Sequence, residues 1–443
     1  MLKTFKLGGV HPAGNKISAT KTIEKLALPK NVFIPIAQHI GAPARPIVQK
    51  GDQVKVGQLI AKANGFVSAN IHSSVSGIVK KIDQAPDSSG YPRPGIVIQV
   101  EGDEWEECIN RTDELLADFI PDSAVIIEKI KEAGIVGMGG ATFPTHVKLV
   151  PPKGSKAEIL IINGVECEPY LTADHRLMLE KGREILVGIH LLMCALQVKK
   201  AVIGIENNKR DAILSFESLT SNDDTIKIIP LRIKYPQGGE KQLIKAVTGR
   251  EVPSGALPIA VGAVVSNVGT AYAVYEAVQK NKPLIERVVT VTGQSLQNPS
   301  NFMVRIGTSV GELIEAAGGL PEDTGKIISG GPMMGKAVAS PNIPVTKGTS
   351  GILMLPDAGS QRQPMQTCIR CGRCVQVCPM GLEPFFLMTV ADKKLWERAE
   401  ENKIMDCIEC GSCSFTCPAN RPLLDYIRIG KGTVGKIIRS RKK

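Results

Sequence analysis

The sequence predicts a multidomain α/β protein of four modules in a row: an all-β module, a Rossmann-like α/β sheet, a smaller β-rich unit and a helical, cysteine-rich end. Three observations carry this. A chain of 443 residues is too long for one simple core. The apolar pattern changes from short runs broken by Gly, Pro and Asp over residues 30–100 to alternating helices and apolar strands from Asp122 to about Lys280. Eight of the eleven cysteines lie between Cys368 and Cys417, where an even scatter would place about one.

Bulk properties narrow the class. An apolar content of 43% with 22% charged residues is ordinary for a soluble globular protein, and no stretch approaches the ~20 apolar residues that span a bilayer. Ile185–Leu196 and Ile259–Val265 read instead as a core helix and a buried strand. The first residues, MLKTFKLGGVHPAG, lack an apolar h-region, so no signal peptide is expected and a cytosolic setting is. A net charge of +11 points to anionic cofactors, acidic proteins or a membrane surface. Nucleic acid is disfavoured, because aromatics make up only 4% and no basic stripe carries stacking residues. Residues 101–122 are acidic, whereas Arg421–Lys443 carries eight Lys/Arg against Asp425 alone. That tail reads either as a frayed, solvated end or as a docking segment for a membrane or an acidic partner.

Taken in order, residues 30–100 have an all-β signature. The segment VQKGDQVKVGQLIAKANGFVSANIHSSVSGIVKKI resembles a biotinyl/lipoyl-type barrel-sandwich module, in which a hairpin-tip lysine carries a swinging cofactor. Aligned on Ser76–Gly77, Phe66 takes that place after Asn64 and Gly65, so the fold is expected without the carrier function, and Lys62 is not expected to be lipoylated. A helix at Ser123–Ala133 leads into a Gly-rich loop. The strand Ile159–Ile162 follows, then a long helix from near Thr172 to Gln197. Strands at Ala201–Ile205, Ile226–Pro230 and Gly262–Ser266 alternate with helices at Lys209–Leu219 and Glu240–Val247, the usual home of a nucleotide or flavin. Val288–Met334 resembles the soluble-ligand-binding β-grasp (SLBB) domain, and Pro356–Thr367 is a polar linker. Leu382–Asp406 reads helical, with Phe385, Phe386, Met388, Val390, Leu395 and Trp396 as packing residues. The expected domains are 1–120, 121–283, 284–355 and 356–443.

The cysteines set the chemistry. CIRCGRCVQVCP supplies Cys368, Cys371, Cys374 and Cys378, and CIECGSCSFTCP supplies Cys407, Cys410, Cys413 and Cys417. Both fit the C-x2-C-x2-C-x3-C-P run of two-cluster [4Fe–4S] ferredoxins. Three thiolates on a tight loop take three corners of a cubane, and the fourth, opening a new helix, ligates the other cluster. One cluster is then expected on Cys368, Cys371, Cys374 and Cys417, the other on Cys407, Cys410, Cys413 and Cys378. Zinc is the alternative, but its tetrahedral sites close with four ligands, commonly as two pairs. Disulfides do not suit a chain without a secretion signal. Cys108, Cys167 and Cys194 lie outside the runs, and Cys194 reads as core packing.

The loop AGIVGMGGATFPTHVKL places Gly137, Gly139 and Gly140 where amides can approach a phosphate, with Lys148 as a point charge. It matches neither a Walker loop nor G-x-G-x-x-G, and alone it is a weak signal. NGVECEP adds Asn163, Glu166 and Glu168 at the carboxyl end of a strand. YPQGGEK adds Gly238, Gly239 and Glu240 at a helix start, and SNVGT adds Asn267 and Thr270. Together these resemble the NADH-oxidising, flavin-bearing subunit of respiratory complex I. The resemblance implies that Gly137, Gly139, Gly140, Lys148, Asn163, Glu166, Asn267 and Thr270 contact FMN, while Glu168, Gly238, Gly239 and Glu240 face NADH. Met138 stands where that family has Arg, and Val165 where it has Asp, which puts flavin affinity and NADH selectivity in question.

The order of modules, from GGVHP (Gly8–Pro12) to the two cysteine runs, resembles the RnfC/RsxC component of the Rnf/Rsx electron transport complexes over nearly the whole chain. That implies a peripheral subunit on the cytoplasmic face of a bacterial membrane complex, which exchanges electrons between NADH and ferredoxin and moves Na+ or H+. FMN, two [4Fe–4S] clusters, NADH and the other complex subunits are the implied partners. The alternative is a relay subunit that has lost its flavin. No acid–base residue is required, so the histidines, His72, His146 and His175 among them, are expected to be surface or structural.

Overall fold

A computed structural model describes residues 2–441. At its centre lies a four-stranded, fully parallel sheet in the order Ile226–Leu231, Ala201–Glu206, Ile159–Gly164, Ala263–Asn267. Its strands are short apolar runs covered by helices on both faces, as parallel sheets require. The chain lays down Ile159–Gly164, moves outward twice, then returns to place Ala263–Asn267 on the other side. The resulting switch point lies between two strands on which Asn163 and Asn267 are directly opposed. Over the sheet, helices Gly182–Leu196 and Val268–Gln279 press backbone to backbone. A Cβ on Gly188 would sit 1.9 Å from the Ala271 carbonyl oxygen, so only glycine fits.

The predicted helix from Thr172 to Gln197 is two helices, Ala173–Glu180 and Gly182–Leu196. Lys181 leaves helical geometry at φ −130°, ψ 31°, and Gly182 at the break, a poor helix former, allows the redirection.

The all-β module is built from two sheets. One runs Asn31–Pro35, Pro92–Val100, Gly77–Pro86, Gln53–Val54, the other Arg45–Pro46, Leu59–Lys62, Ile71–His72. They enclose Val32, Ile34, Ile60, Ile71, Val79, Ile96 and Ile98. Phe66 stands 72% exposed in the loop between Leu59–Lys62 and Ile71–His72. Residues 2–25 do not join this module. Lys3 bridges Leu231, Val10 bridges Tyr235, the Gly9 amide donates to the Val377 carbonyl, and Ile23–Lys25 adds a parallel strand beside Ser300–Arg305. The arm therefore straps three modules together. The sheet it joins has six strands in mixed order, with Val310–Ala316 as its helix.

The cysteine-rich end is helical, with two corrections. Leu382–Asp406 is not continuous. It forms Pro384–Asp392, Trp396–Glu401 and a 3-10 turn at Ile404–Asp406, interrupted where Lys394 and Lys403 adopt left-handed φ of 56° and 60°. Met388 and Val390 are buried as expected, but Phe385 and Leu395 are exposed. The basic tail is not frayed over its described part, since Leu423–Arg441 is a 19-residue helix. Leu423, Ile427, Gly430 and Val434 recur at helical spacing and are buried, which holds it down. Lys442 and Lys443 lie outside the described residues. Among the described residues no helix is long and apolar enough to cross a membrane.

Candidate functional site

The Gly-rich loop closes over the switch point. The Met138 amide donates to Thr270 Oγ1 (2.9 Å), and a Cβ on Gly139 would meet Asn267 Cβ at 3.0 Å. Gly140 has nothing within 4 Å of such a Cβ, and both Gly139 and Gly140 are exposed. Among the described residues their amides donate to no protein acceptor. Exposed amides without a protein acceptor, beside parallel strand ends, fit the phosphate of FMN.

Most of the other predicted residues converge here. Asn163 Nδ2 donates to the Gly238 carbonyl (2.9 Å), tying the acidic turn to the second glycine turn. Gly239 caps helix Glu240–Thr248. Lys148 Nζ donates to Glu240 Oε1 (2.8 Å) and the Val265 carbonyl (2.9 Å), so its charge is shared with the second glycine turn. Gly137 lies deeper, its amide closing the loop onto the Phe143 carbonyl. Glu166, itself left-handed at φ 45°, accepts from the amides of Asp174 (2.8 Å) and His175 (3.3 Å) at the start of helix Ala173–Glu180. Glu168 lies 3.4 Å from Tyr235 Oη, at the start of the second glycine turn. Its carboxylate accepts from the Met333 and Met334 amides (3.1 and 2.8 Å) of the SLBB-like sheet, and burial pushes its pKa up.

Residues without a sequence signal complete the site. Lys16, from the N-terminal arm, donates to three carbonyls of the acidic turn, those of Glu166, Glu168 and Leu171, at 2.9, 2.8 and 2.6 Å. Burial pulls its pKa down to about 8. Asp174 accepts from Asn267 Nδ2 (2.7 Å), and burial followed by the nearby Glu166 pushes its pKa up to about 7. A carboxyl raised on folding stabilises the fold fully below its unfolded pKa, and that contribution is lost as pH rises through 7. Asp174→Asn keeps an acceptor without the charge. Its melting temperature relative to the parent should therefore rise between about pH 5 and pH 8; a difference that does not change with pH would refute the raised pKa.

His72, His146 and His175 are structural and not surface groups, whereas His11 is exposed. His72 and His146 are buried, and His175 pairs with Asp211 at 2.8 Å.

The cysteines form two sets. Cys378, Cys407, Cys410 and Cys413 line one apolar cavity together with Met380, Leu382, Leu387 and Ile427. Burial first, then the neighbouring thiols, pushes Cys413 up to about 12, and burial pushes Cys407 to about 11. Backbone amides compensate: Leu382 N–H points at Cys378 Sγ (3.3 Å) and Glu409 N–H at Cys407 Sγ (3.4 Å). In the second set, Cys374 feels Cys417 and Cys368. Each run carries two left-handed residues at matching places, Arg370 and Gly372 in one, Glu409 and Gly411 in the other. Alternating hand turns successive amides inward, a concavity suited to an iron–sulfur cluster. The two halves of the molecule meet where Tyr235 Oη donates to the Cys410 carbonyl at 2.8 Å.

Comparison with known proteins agrees module by module. Residues 3–103 match the RnfC barrel sandwich hybrid domain, 130–276 the Nuo51 FMN-binding domain, 288–337 the SLBB domain and 362–430 the 4Fe-4S dicluster domain. Among solved structures, an NAD+-reducing [NiFe]-hydrogenase in the H2-reduced state shares the fold at TM-score 0.51 and 20% identity, over 71% of this chain and 63% of that one. The C subunit of the Na(+)-translocating ferredoxin:NAD(+) oxidoreductase complex of Acetobacterium woodii is 45% identical, over 99% of this chain and 98% of its own. Its counterpart in the proton-translocating ferredoxin:NAD(+) oxidoreductase complex of Clostridium ljungdahlii is 50% identical, over 97% of this chain and 93% of its own. With half of its residues shared nearly end to end, this chain belongs to the family of RnfC-type subunits of the ion-translocating ferredoxin:NAD+ oxidoreductase complexes.

Proposed function

We propose that this chain is the electron-input subunit of such a complex: it oxidises NADH through FMN, holds two [4Fe–4S] clusters, and serves an assembly that couples NADH–ferredoxin electron exchange to ion movement. The observation that supports this reading is that the open glycine loop and the cysteine-rich end, where Cys378, Cys407, Cys410 and Cys413 line one cavity, are joined through Tyr235 and the N-terminal arm. When bound, FMN supplies the conversion between the two electrons of a hydride and the single electrons that clusters accept.

The chain's own residues bind and orient. In this reading Gly139 and Gly140 offer their amides to the flavin phosphate, with Gly137, Asn163, Glu166, Asn267 and Thr270 shaping the crevice and Lys148 bridging to the nicotinamide side at Gly238, Gly239 and Glu240. Lys16 holds the acidic turn from below. Glu168 locks that turn to the SLBB-like sheet and, 3.4 Å from Tyr235 Oη at the start of the second glycine turn, stands on the nicotinamide side. Cys368, Cys371, Cys374 and Cys417 hold one cluster, and Cys378, Cys407, Cys410 and Cys413 the other. The working units are 1–120, whose first 25 residues serve as the strap across the others, 121–283, 284–355 and 356–443, with the chain seated peripherally on the cytoplasmic face of the membrane. Anaerobically purified protein should release about one FMN, contain about eight irons and reduce ferricyanide with NADH. Protein with iron but neither flavin nor NADH oxidation would overturn the input role.

A further inference from the structure

We propose that the surface around Cys368, Cys371, Cys374 and Cys417 is the docking face for a one-electron acceptor protein with an acidic rim, and that the other cysteine set faces inward, toward the flavin crevice. This rests on the ligand grouping proposed above.

The two cysteine runs are near-copies, so their differences in setting are informative. Cys378, Cys410 and Cys413 are buried and Cys407 is half-buried, whereas in the other set Cys371 is exposed and none is buried. A Cβ on Gly411 would meet the Met333 carbonyl oxygen at 2.7 Å, while its counterpart Gly372 has nothing within 4 Å. Ile408 packs with Val10 and Tyr235, while its counterpart Ile369 is 68% exposed. The inward set is sealed from three sides: Tyr235 on Cys410, Gln242 Nε2 on the Pro379 carbonyl (3.3 Å), and the arm at Cys378, where Gly8 leaves no room for a side chain. No acceptor protein can approach it directly.

Electron transfer weakens exponentially with distance, so an acceptor must dock where a cluster comes to the surface. At the bare set Met365, Ile369 and Phe415 are apolar and exposed, a centre of the kind that protein interfaces bury inside a polar rim. The rim is mainly basic: Arg362 pairs with Asp425 at 2.6 Å, while Arg370 and Arg373 are exposed. From Gln361 to Cys378 the chain carries Arg362, Arg370 and Arg373 and no Asp or Glu. That charge selects an acidic partner over a basic one. NADH going to NAD+ and a proton releases two electrons, so an acceptor of single electrons docks twice per turnover or holds two centres.

The test uses the full chain, loaded with flavin and iron, binding to membranes that carry the remaining subunits but lack this one. Met365→Asp with Phe415→Asp, and separately Arg362→Glu with Arg373→Glu, should each weaken binding at least about tenfold. Iron, flavin and NADH–ferricyanide activity should stay at parental levels. Added salt should weaken parental binding and have less effect on the arginine double variant. Parental binding by both double variants would overturn the proposal. So would equal binding of the parent to protein-free anionic vesicles, which would identify a lipid surface, or self-association lost in the variants, which would identify a second copy. A parental protein without iron would instead sink the ligand grouping, which the iron assay reports separately from binding.

Discussion

Gly140→Asp should abolish flavin retention without disturbing the fold. A Cβ there meets nothing, and Gly140 is exposed, so the backbone has no reason to move. The new carboxylate would stand beside the exposed amides of Gly139 and Gly140. Two charges about 4 Å apart repel by roughly 1 kcal/mol in water and about 4 kcal/mol near a protein surface, a loss of about sixfold to about a thousandfold in affinity, the larger figure applying at this loop. Flavin released from purified protein, together with FMN titration by fluorescence quenching, measures it. Gly140→Ala should bind within a few-fold of the parent, separating charge from bulk. Full flavin content in the Asp variant would mean that this loop does not hold the phosphate.

Cys413→Ser should cost the inward cluster and much of the stability of the helical end. Cys413 is buried in a cavity whose other walls are Cys378, Cys407 and Cys410 with apolar side chains, and burial opposes a bare thiolate there. Cluster binding is therefore also folding free energy for this end of the chain. Iron should fall from about eight to about four or fewer per chain, with a lowered melting temperature. Cys371→Ser, at the exposed position, should lose the other cluster with a smaller thermal penalty. Eight irons retained in Cys413→Ser would refute its role as a ligand.

Local chemistry was readable without coordinates wherever a spacing rule is strict. The cysteine runs, the alternation of strands and helices between Asp122 and Lys280, and the glycine loop are all read from near-neighbour geometry, and the structure shows that alternation of strands and helices. Helix continuity was less readable. The breaks at Lys181, Lys394 and Lys403 occur at residues that favour helix, where tertiary packing overrides propensity. The tail was ambiguous from its charge alone, and the buried stripe from Leu423 to Val434 decides for a packed helix.

The order of residues already carries the inventory: two four-cysteine runs, a phosphate-type loop, the succession of modules and the family they resemble. Ligand spacing and strand periodicity act over a few residues, so they survive without knowledge of the fold. Only the tertiary structure decided which groups meet across hundreds of residues. It set Lys16 beneath the acidic turn, turned Glu168 toward Met333 and Met334, paired Lys148 with Glu240, and buried one of two nearly identical cysteine loops while leaving the other bare. Those outcomes depend on long-range packing and desolvation, which no local pattern encodes.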